Sequence, residues 1–566
     1  MGVAFLVLGK NCSHIWECVT DSRPETFSQE SSPRLPPMNI RLSITALLLF
    51  TTMVAPADQN WDGDNSVGNF SYNDNWYGNS QPGWGFGSGS LYLNFRNNGA
   101  QSSLYYDYGA WVNTNDVIWE TTFGAGLTWN GNGNGINFNQ RLENRSSFTQ
   151  TIGTMNFSGA KNGATQIEIN PVNGNIVLNG SLFNDNAKPY YVYGNNGKSL
   201  TLNTTLGVGS SAASVSFNVA QNSNVIFGAD QNYAGGTVIS AGSLQVGAGG
   251  TVGKLGTGTV TNNASLIFNR SDVVTVSNTI NGSGNVTQSG SGTTTLTGGN
   301  GYSGTTTLTS GILAIQSDGN LGAVPGSPLN KILFTGNATL QDAVNNIALN
   351  ANRNLTISNG ITATLDNNGN DFTINGGING AGGNLELKGG GKTTLNGAGS
   401  YTGTTKITGG TLVLGTGSAL PSASAFTLSG ARLNVNGKTA STGVLNETTG
   451  TNIIDFSNGN GQITFSNTGT WTGILSIWNY TGAILTAGTD KLIFTTNGLT
   501  SSNLSNIHFY SGEGTGKIDT SGAGFLAGGE LVPVPEPGAM LAALGLLGAI
   551  AYRERRHWLH YRPKAV

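Results

Sequence analysis

Apolar residues along most of this chain come in short alternating runs punctuated by glycine and asparagine. Runs such as Asn224 to Phe227, Ser265-Leu266-Ile267-Phe268, Thr293 to Thr297, Ile332-Leu333-Phe334, Lys392 to Leu395 and Phe426-Thr427-Leu428 read as strands. Alternation with period two puts one row of side chains inward and the other toward water. Strands this short cannot enclose a core by themselves, so the pattern predicts many of them sharing one.

An internal repeat shows how. Three segments align without gaps: Tyr233 to Val246, Tyr302 to Ile315 and Tyr401 to Leu414. Counting from the tyrosine, each has glycine two residues on, an aliphatic at six, glycine at nine, leucine at eleven and an aliphatic at thirteen. Positions four and six share one strand face, and eleven and thirteen share a face of the next strand. The glycine at nine falls at the corner between them, where a positive φ is cheap only without a Cβ. Coils of this kind, stacked on one another, enclose a continuous aliphatic core. The expected fold is all-β, a parallel β-helix solenoid, with Thr and Asn side chains pairing with their equivalents one coil away.

The flanks differ. Residues 58–150 hold Trp61, Trp76, Trp84, Trp111, Trp119 and Trp129 and many tyrosines. One reading is an aromatic platform for stacking on sugar rings, with Trp84, Trp111 and Trp119 as its candidates. The other is an aromatic-rich N-terminal β cap over the open end of the solenoid. Residues 151–450 are expected to form the coils and 451–532 a terminal β region.

Both ends look like addresses rather than fold. Met38-Asn39-Ile40-Arg41 supplies a positive start, Leu42 to Val54 an apolar stretch, and Ala55-Pro56-Ala57 a small-residue cleavage pattern. Residues 38–57 therefore read as a signal peptide for the Sec translocon, cut by signal peptidase after Ala57. Residues 1–37 are polar and proline-containing. They read as an upstream extension ahead of a true start at Met38, or as a genuine extension that buries the signal. Residues 533–566 contain Pro535-Glu536-Pro537, an apolar run to Tyr552, and then Arg553, Arg555 and Arg556. The basic cluster would keep that end cytoplasmic, although the apolar run falls short of the about 20 residues of a stable spanning helix. The alternative is a buried C-terminal helix of a soluble domain.

Composition narrows the chemistry. Cys12 and Cys18 precede the signal, and of four histidines only His508 lies between residues 58 and 532. Disulfides, a cysteine or multi-histidine metal site and a Cys–His nucleophile are thus not expected. Charged residues make up 10% of the chain, against roughly 25% in ordinary globular proteins. Between residues 58 and 532, 17 Lys and Arg face 23 Asp and Glu, so no basic stripe for nucleic acid is expected. Asp62-Gly63-Asp64-Asn65 and Asp366 to Asp371 cluster oxygen ligands; solvated turns explain them better than Ca²⁺ loops, since neither has EF-hand spacing. Asp230, Asp272, Asp318, Asp342 and Glu386 are scattered singly along the coils, unlike the paired carboxylates of glycan-cleaving enzymes. No cofactor and no enzymatic activity are expected.

Two resemblances follow from these residues. The Pro-Glu-Pro, apolar run and basic cluster closely resemble the PEP-CTERM sorting signal of Gram-negative bacteria. That resemblance implies an inner-membrane-anchored intermediate with a single hydrophobic helix, processed by an exosortase-like enzyme. The Tyr-x-Gly-x-Thr block resembles the autotransporter-associated β-strand repeat of bacterial surface proteins, which implies a right-handed parallel β-helix and export. Too few residues follow the last coil for a translocating barrel, so a self-exporting passenger is not expected. Together the resemblances imply a non-enzymatic protein of the cell surface or extracellular matrix, structural or adhesive in the envelope, in exopolysaccharide or in biofilm. The alternatives are a carbohydrate-binding surface protein using the N-terminal aromatics and a polysaccharide-degrading β-helix.

Overall fold

The computed structural model describes the backbone of residues 59–61, 92–95, 103–106, 112–119 and 128–131, and residues 135–560 apart from short breaks, of which 209–215 is the longest. The signal-peptide residues Ala55 and Ala57, the segment 1–37, Trp84 and Trp111 lie outside the described residues.

Short strands stack into four long sheets, and within each of them all neighbours run parallel. The first sheet climbs from Gln59–Trp61 through Val112–Trp119, Gly135–Asn144, Ile167–Pro171, Tyr190–Gly194 and Phe217–Gln221 to Ile280–Asn281. The second has 13 strands, from Ser103–Tyr106 to Ile378–Asn379. The third has ten, from Val273–Val276 to Thr468–Trp471, and the fourth eight, from Ile347–Leu349 to Ile507–Phe509. The expected parallel β-solenoid is observed. Its parallel pairing already runs through the aromatic-rich N-terminal segment and continues past residue 450.

The core is built rung by rung. On the second sheet Ile176, Leu200, Val225, Leu244, Leu266, Val286, Thr306, Ile332, Leu355 and Ile378 are successive register partners. All ten side chains are buried. Parallel sheets usually carry unbroken apolar runs because both faces are covered; here the alternation survives because each sheet has one face in water. Polar side chains continue the stacking outside. Asn203 bonds to Asn179 at 2.8 Å, Asn396 to Asn375 at 2.6 Å, and the Asn285 and Asn384 amide oxygens accept from Thr305 and Thr404, 20 residues on.

The three repeats form corners. Each tyrosine is buried, and its hydroxyl meets the threonine four residues later: Tyr233–Thr237 at 2.8 Å, Tyr302–Thr306 at 2.6 Å and Tyr401–Thr405 at 2.6 Å. A polar hydroxyl in the aliphatic core is thereby satisfied inside its own repeat. The glycines at the ninth position, Gly242, Gly311 and Gly410, have φ of 74°, 64° and 65°. A Cβ at any of them would run into a backbone oxygen of the coil below.

The repeats do not lie on a common face. The Tyr233 block joins the first sheet to the second, the Tyr302 block the second to the third, and the Tyr401 block the third to the fourth. Each copy turns the chain from one sheet onto another, and older sheets end as newer ones take over.

The C-terminal end of the stack is closed by a different element. The antiparallel pair Ala523–Phe525 and Leu531–Pro533 buries Leu531 and Val532. Phe525 meets Phe494 edge to face at 6.3 Å, and the Phe494 amide donates to the Gly529 carbonyl. An antiparallel cap of this kind covers the last rung, whose unpaired groups would otherwise template another strand.

Candidate functional site

Consecutive rungs of the first sheet bring charged, amide and aromatic side chains together. Inward, Leu142, Ile169, Val192 and Val219 are register partners, fully buried. Alternation then turns their neighbours outward. One outward column runs Arg141, Glu168 and Tyr191 and ends on Asn218, which is buried, and a second begins with Glu143 and Asn170, both covered by their neighbours. Tyr193 stands two residues beyond Tyr191 on the same strand face.

Hydrogen bonds lock this surface. Arg141 Nη1 donates to Glu143 Oε2 at 3.0 Å, and its Nε lies 3.9 Å from Glu168 Oε2. Arg145 donates to the other Glu143 oxygen. Asn170 Nδ2 sits between the two carboxylates, 3.4 Å from Glu143 and 3.5 Å from Glu168, and Gln166 Nε2 donates to Glu168 Oε1 at 2.8 Å. The rings of Tyr191 and Tyr193 are nearly parallel, 8° apart in plane and 5.7 Å between centres. Two arginines and two glutamates leave the patch locally neutral.

The electrostatics hold Glu143 as an anion. Burial pushes the Glu143 carboxyl up, but hydrogen bonds from Arg145 and Arg141 outweigh it and hold the group below its ordinary value. Glycosidic cleavage by paired carboxyls needs one kept protonated; Glu143 is held as an acceptor. Partial burial, with Glu168 close by, raises the Tyr193 hydroxyl despite its bond with Gln166, so it stays a neutral phenol. A cavity of about 190 Å³ beneath Val274 and Val276, with Val246, Leu255 and Phe268 in its wall, is smaller than the roughly 300 Å³ at which ligand pockets begin.

The residues singled out in the sequence are placed as follows. Trp119 is fully buried in the core, in register with Phe95 and Asn144. Its parity turns the indole inward, which removes it from any surface platform for sugars. Asp230 and Asp272 converge on Arg270, at 3.6 and 2.8 Å. Asp318 pairs with the buried Arg353 at 2.9 Å, and Glu386 with Lys406 at 3.5 Å. Asp342 is buried, and its carboxyl is pushed up to about 6 by burial. In the Asp366 to Asp371 turn, Asp366 lies 3.6 Å from Lys388 and Asp371 2.7 Å from Lys392, one coil on. Sequence reasoning missed Arg141, Glu143, Glu168, Tyr191 and Tyr193. The signal available was the alternation of Tyr190-Tyr191-Val192-Tyr193, whose odd positions must face outward once its even positions face in.

The sorting-tail residues sit at and beyond the cap. Pro535 is half-buried, and a helix, Pro537–His560, starts at the second proline, where the missing N–H costs nothing. Leu544, Leu546, Leu547 and Ile550 are at least half exposed on it. Arg553, Arg555 and Arg556 are exposed on its last turns, Arg556 lying over the Tyr552 ring at 5.5 Å. Among the described residues no helix is long and apolar enough to cross a membrane.

Comparison with known proteins agrees with both halves of this description. The passenger-associated-transport-repeat family matches residues 224–246, 286–315 and 385–414. Each match ends on the last strand of one of the three tyrosine blocks. The PEP-CTERM protein-sorting motif matches residues 533–556. The chain thus carries autotransporter-associated repeats followed by a C-terminal sorting motif. It is similar to the adhesin BmaC autotransporter of Brucella suis biovar 1 (strain 1330), 31% identical over 278 residues. That match covers 42% of this chain and 8% of the adhesin's length. No solved structure matches the chain.

Proposed function

We propose that this chain is an exported, non-enzymatic surface adhesin whose solenoid presents long polar faces to its surroundings. The observation that carries the reading is the joining of an adhesin-like repeat stack to a PEP-CTERM motif. The Sec translocon and signal peptidase take the chain across the inner membrane, with cleavage after Ala57. The apolar helix after Pro537 and the arginines at 553, 555 and 556 hold the tail at that membrane until an exosortase-like enzyme removes it around Pro535-Glu536-Pro537. The released or retained solenoid then contributes to the envelope, to extracellular polysaccharide or to biofilm through many weak contacts along its Thr and Asn faces.

Mass spectrometry of the mature protein from its native host tests the route. An N-terminus at Asp58 and loss of everything after the Pro-Glu-Pro region are expected. An intact tail on protein recovered from the surface contradicts it, as do peptides from residues 1–37.

A further inference from the structure

We infer that the outward face of the first sheet around Tyr191 and Tyr193 binds a neutral glycan strand. The inference rests on the surface reading above and gives it a site. Sugar rings offer two kinds of surface, an apolar C–H face that stacks on aromatic rings and an equatorial fringe of hydroxyls. The patch matches both. Tyr191 and Tyr193 supply two nearly parallel rings, partly exposed and fixed on one strand. Beside them Glu168 offers carboxylate acceptors, with Gln166 and Arg141 as donors on its flanks.

Two further features point to a neutral glycan. The arginine and glutamate charges cancel within the patch, and Glu143 spends its charge on Arg145 and Arg141, which leaves no net positive field to gather a polyanion. The polar groups are held by one another and stand on rigid strands, so little side-chain freedom is lost when a ligand arrives. Outward columns also repeat at the ~4.8 Å spacing of the rungs, a step on the order of one sugar unit in an extended chain. A strand laid across the rungs meets Arg141, Glu168 and Tyr191 in turn.

The test is calorimetric titration of the full chain with cellohexaose, laminarihexaose and mannohexaose, and with polygalacturonate as an acidic probe. Binding of at least one neutral hexasaccharide is expected. Tyr191→Ala and Tyr193→Ala should each weaken it about tenfold, the loss of roughly one aromatic stacking contact, whereas Tyr191→Phe should stay within about threefold. Thermal melts of the alanine variants should match the parent, because both rings lie on the outer face. Failure to bind any neutral hexasaccharide overturns the inference, as does equal binding by the Tyr191→Ala/Tyr193→Ala chain or a preference for polygalacturonate. Protease accessibility on intact host cells separates the two readings. A chain that binds glycans in solution but is never surface-exposed sinks the surface reading and leaves this site standing.

Discussion

The middle coils and the coils on either side of them use one scaffold with a different balance of apolar and ionisable burial. The buried set between Val225 and Leu433 is mostly apolar, with the tyrosine–threonine pairs, Gln288 and the ionisable Arg270, Asp342, Arg353 and Asp366 among its exceptions. After it buried carboxyl groups are denser, with Glu447, Asp455, Asp490 and Glu530 in one short stretch, and before it Glu143 is buried although it stands on the outer side of its strand. The repeat makes a regular, inert stack. Buried carboxyl groups crowd together after Leu433, beyond the last copy of the repeat.

The glycine corners offer the hardest way to break the middle coils. Gly311 has φ 64° and no room for a Cβ above the carbonyls of Gly290 and Gly292, whereas Gly299 has nothing within 4 Å. Gly311→Ala should therefore cost on the order of 2–4 kcal/mol, against less than about 0.5 kcal/mol for Gly299→Ala, read from denaturant midpoints of the two variants. Equal melting would show that the corners are not sterically defined.

The C-terminal flank should respond to pH up to higher values than the middle, where burial raises the Asp342 carboxyl only to about 6. Glu447 is fully buried, and burial, only partly offset by the nearby Asn452 and Trp471 side chains, raises its carboxyl from 4.5 to about 8. The folded chain holds a proton that the unfolded chain releases near 4.5. This group's contribution is therefore fully favourable below about 4.5 and is lost as pH climbs toward 8. Glu447→Gln keeps the shape and removes the titration, so it should flatten that decline and gain most at pH 8 and above. A parent and variant with parallel stability curves from pH 5 to 9 would refute the assignment.

The smallest effect sharpens the comparison inside the core. Removing the Tyr302 hydroxyl leaves Thr306 without its 2.6 Å partner in the middle of an aliphatic column. Tyr302→Phe should cost about 1 kcal/mol, and Tyr302→Phe with Thr306→Val should recover most of it. Absence of recovery would mean that the pair contributes through something other than mutual satisfaction.

Much of the fold was legible because its rules are local. Alternation gave strand faces, and the glycine at the ninth position gave the corners. The tyrosine spacing contained its own hydrogen-bond partner four residues on. What could not be read was global. The repeat spans a corner rather than a whole coil, so nothing in it says which sheet each copy joins, and the transfer from sheet to sheet emerges only from register. The candidate site was hidden for a related reason. Arg141, Glu168 and Tyr191 become neighbours only when three coils are aligned. The abundance of tryptophan before residue 150 drew attention to Trp119, which parity places inside.

The central claim is a single in-register parallel stack passed from sheet to sheet, and engineered cysteine pairs test it most directly. With Cys12 and Cys18 replaced by serine, Thr275→Cys with Thr295→Cys on the third sheet and Thr373→Cys with Thr394→Cys on the fourth put outward register partners one rung apart. Both pairs should link rapidly on mild oxidation, while Thr373→Cys with Thr393→Cys, one residue out of register and turned into the core, should not. Linking of the shifted pair, or of only one of the two aligned pairs, would contradict a continuous solenoid.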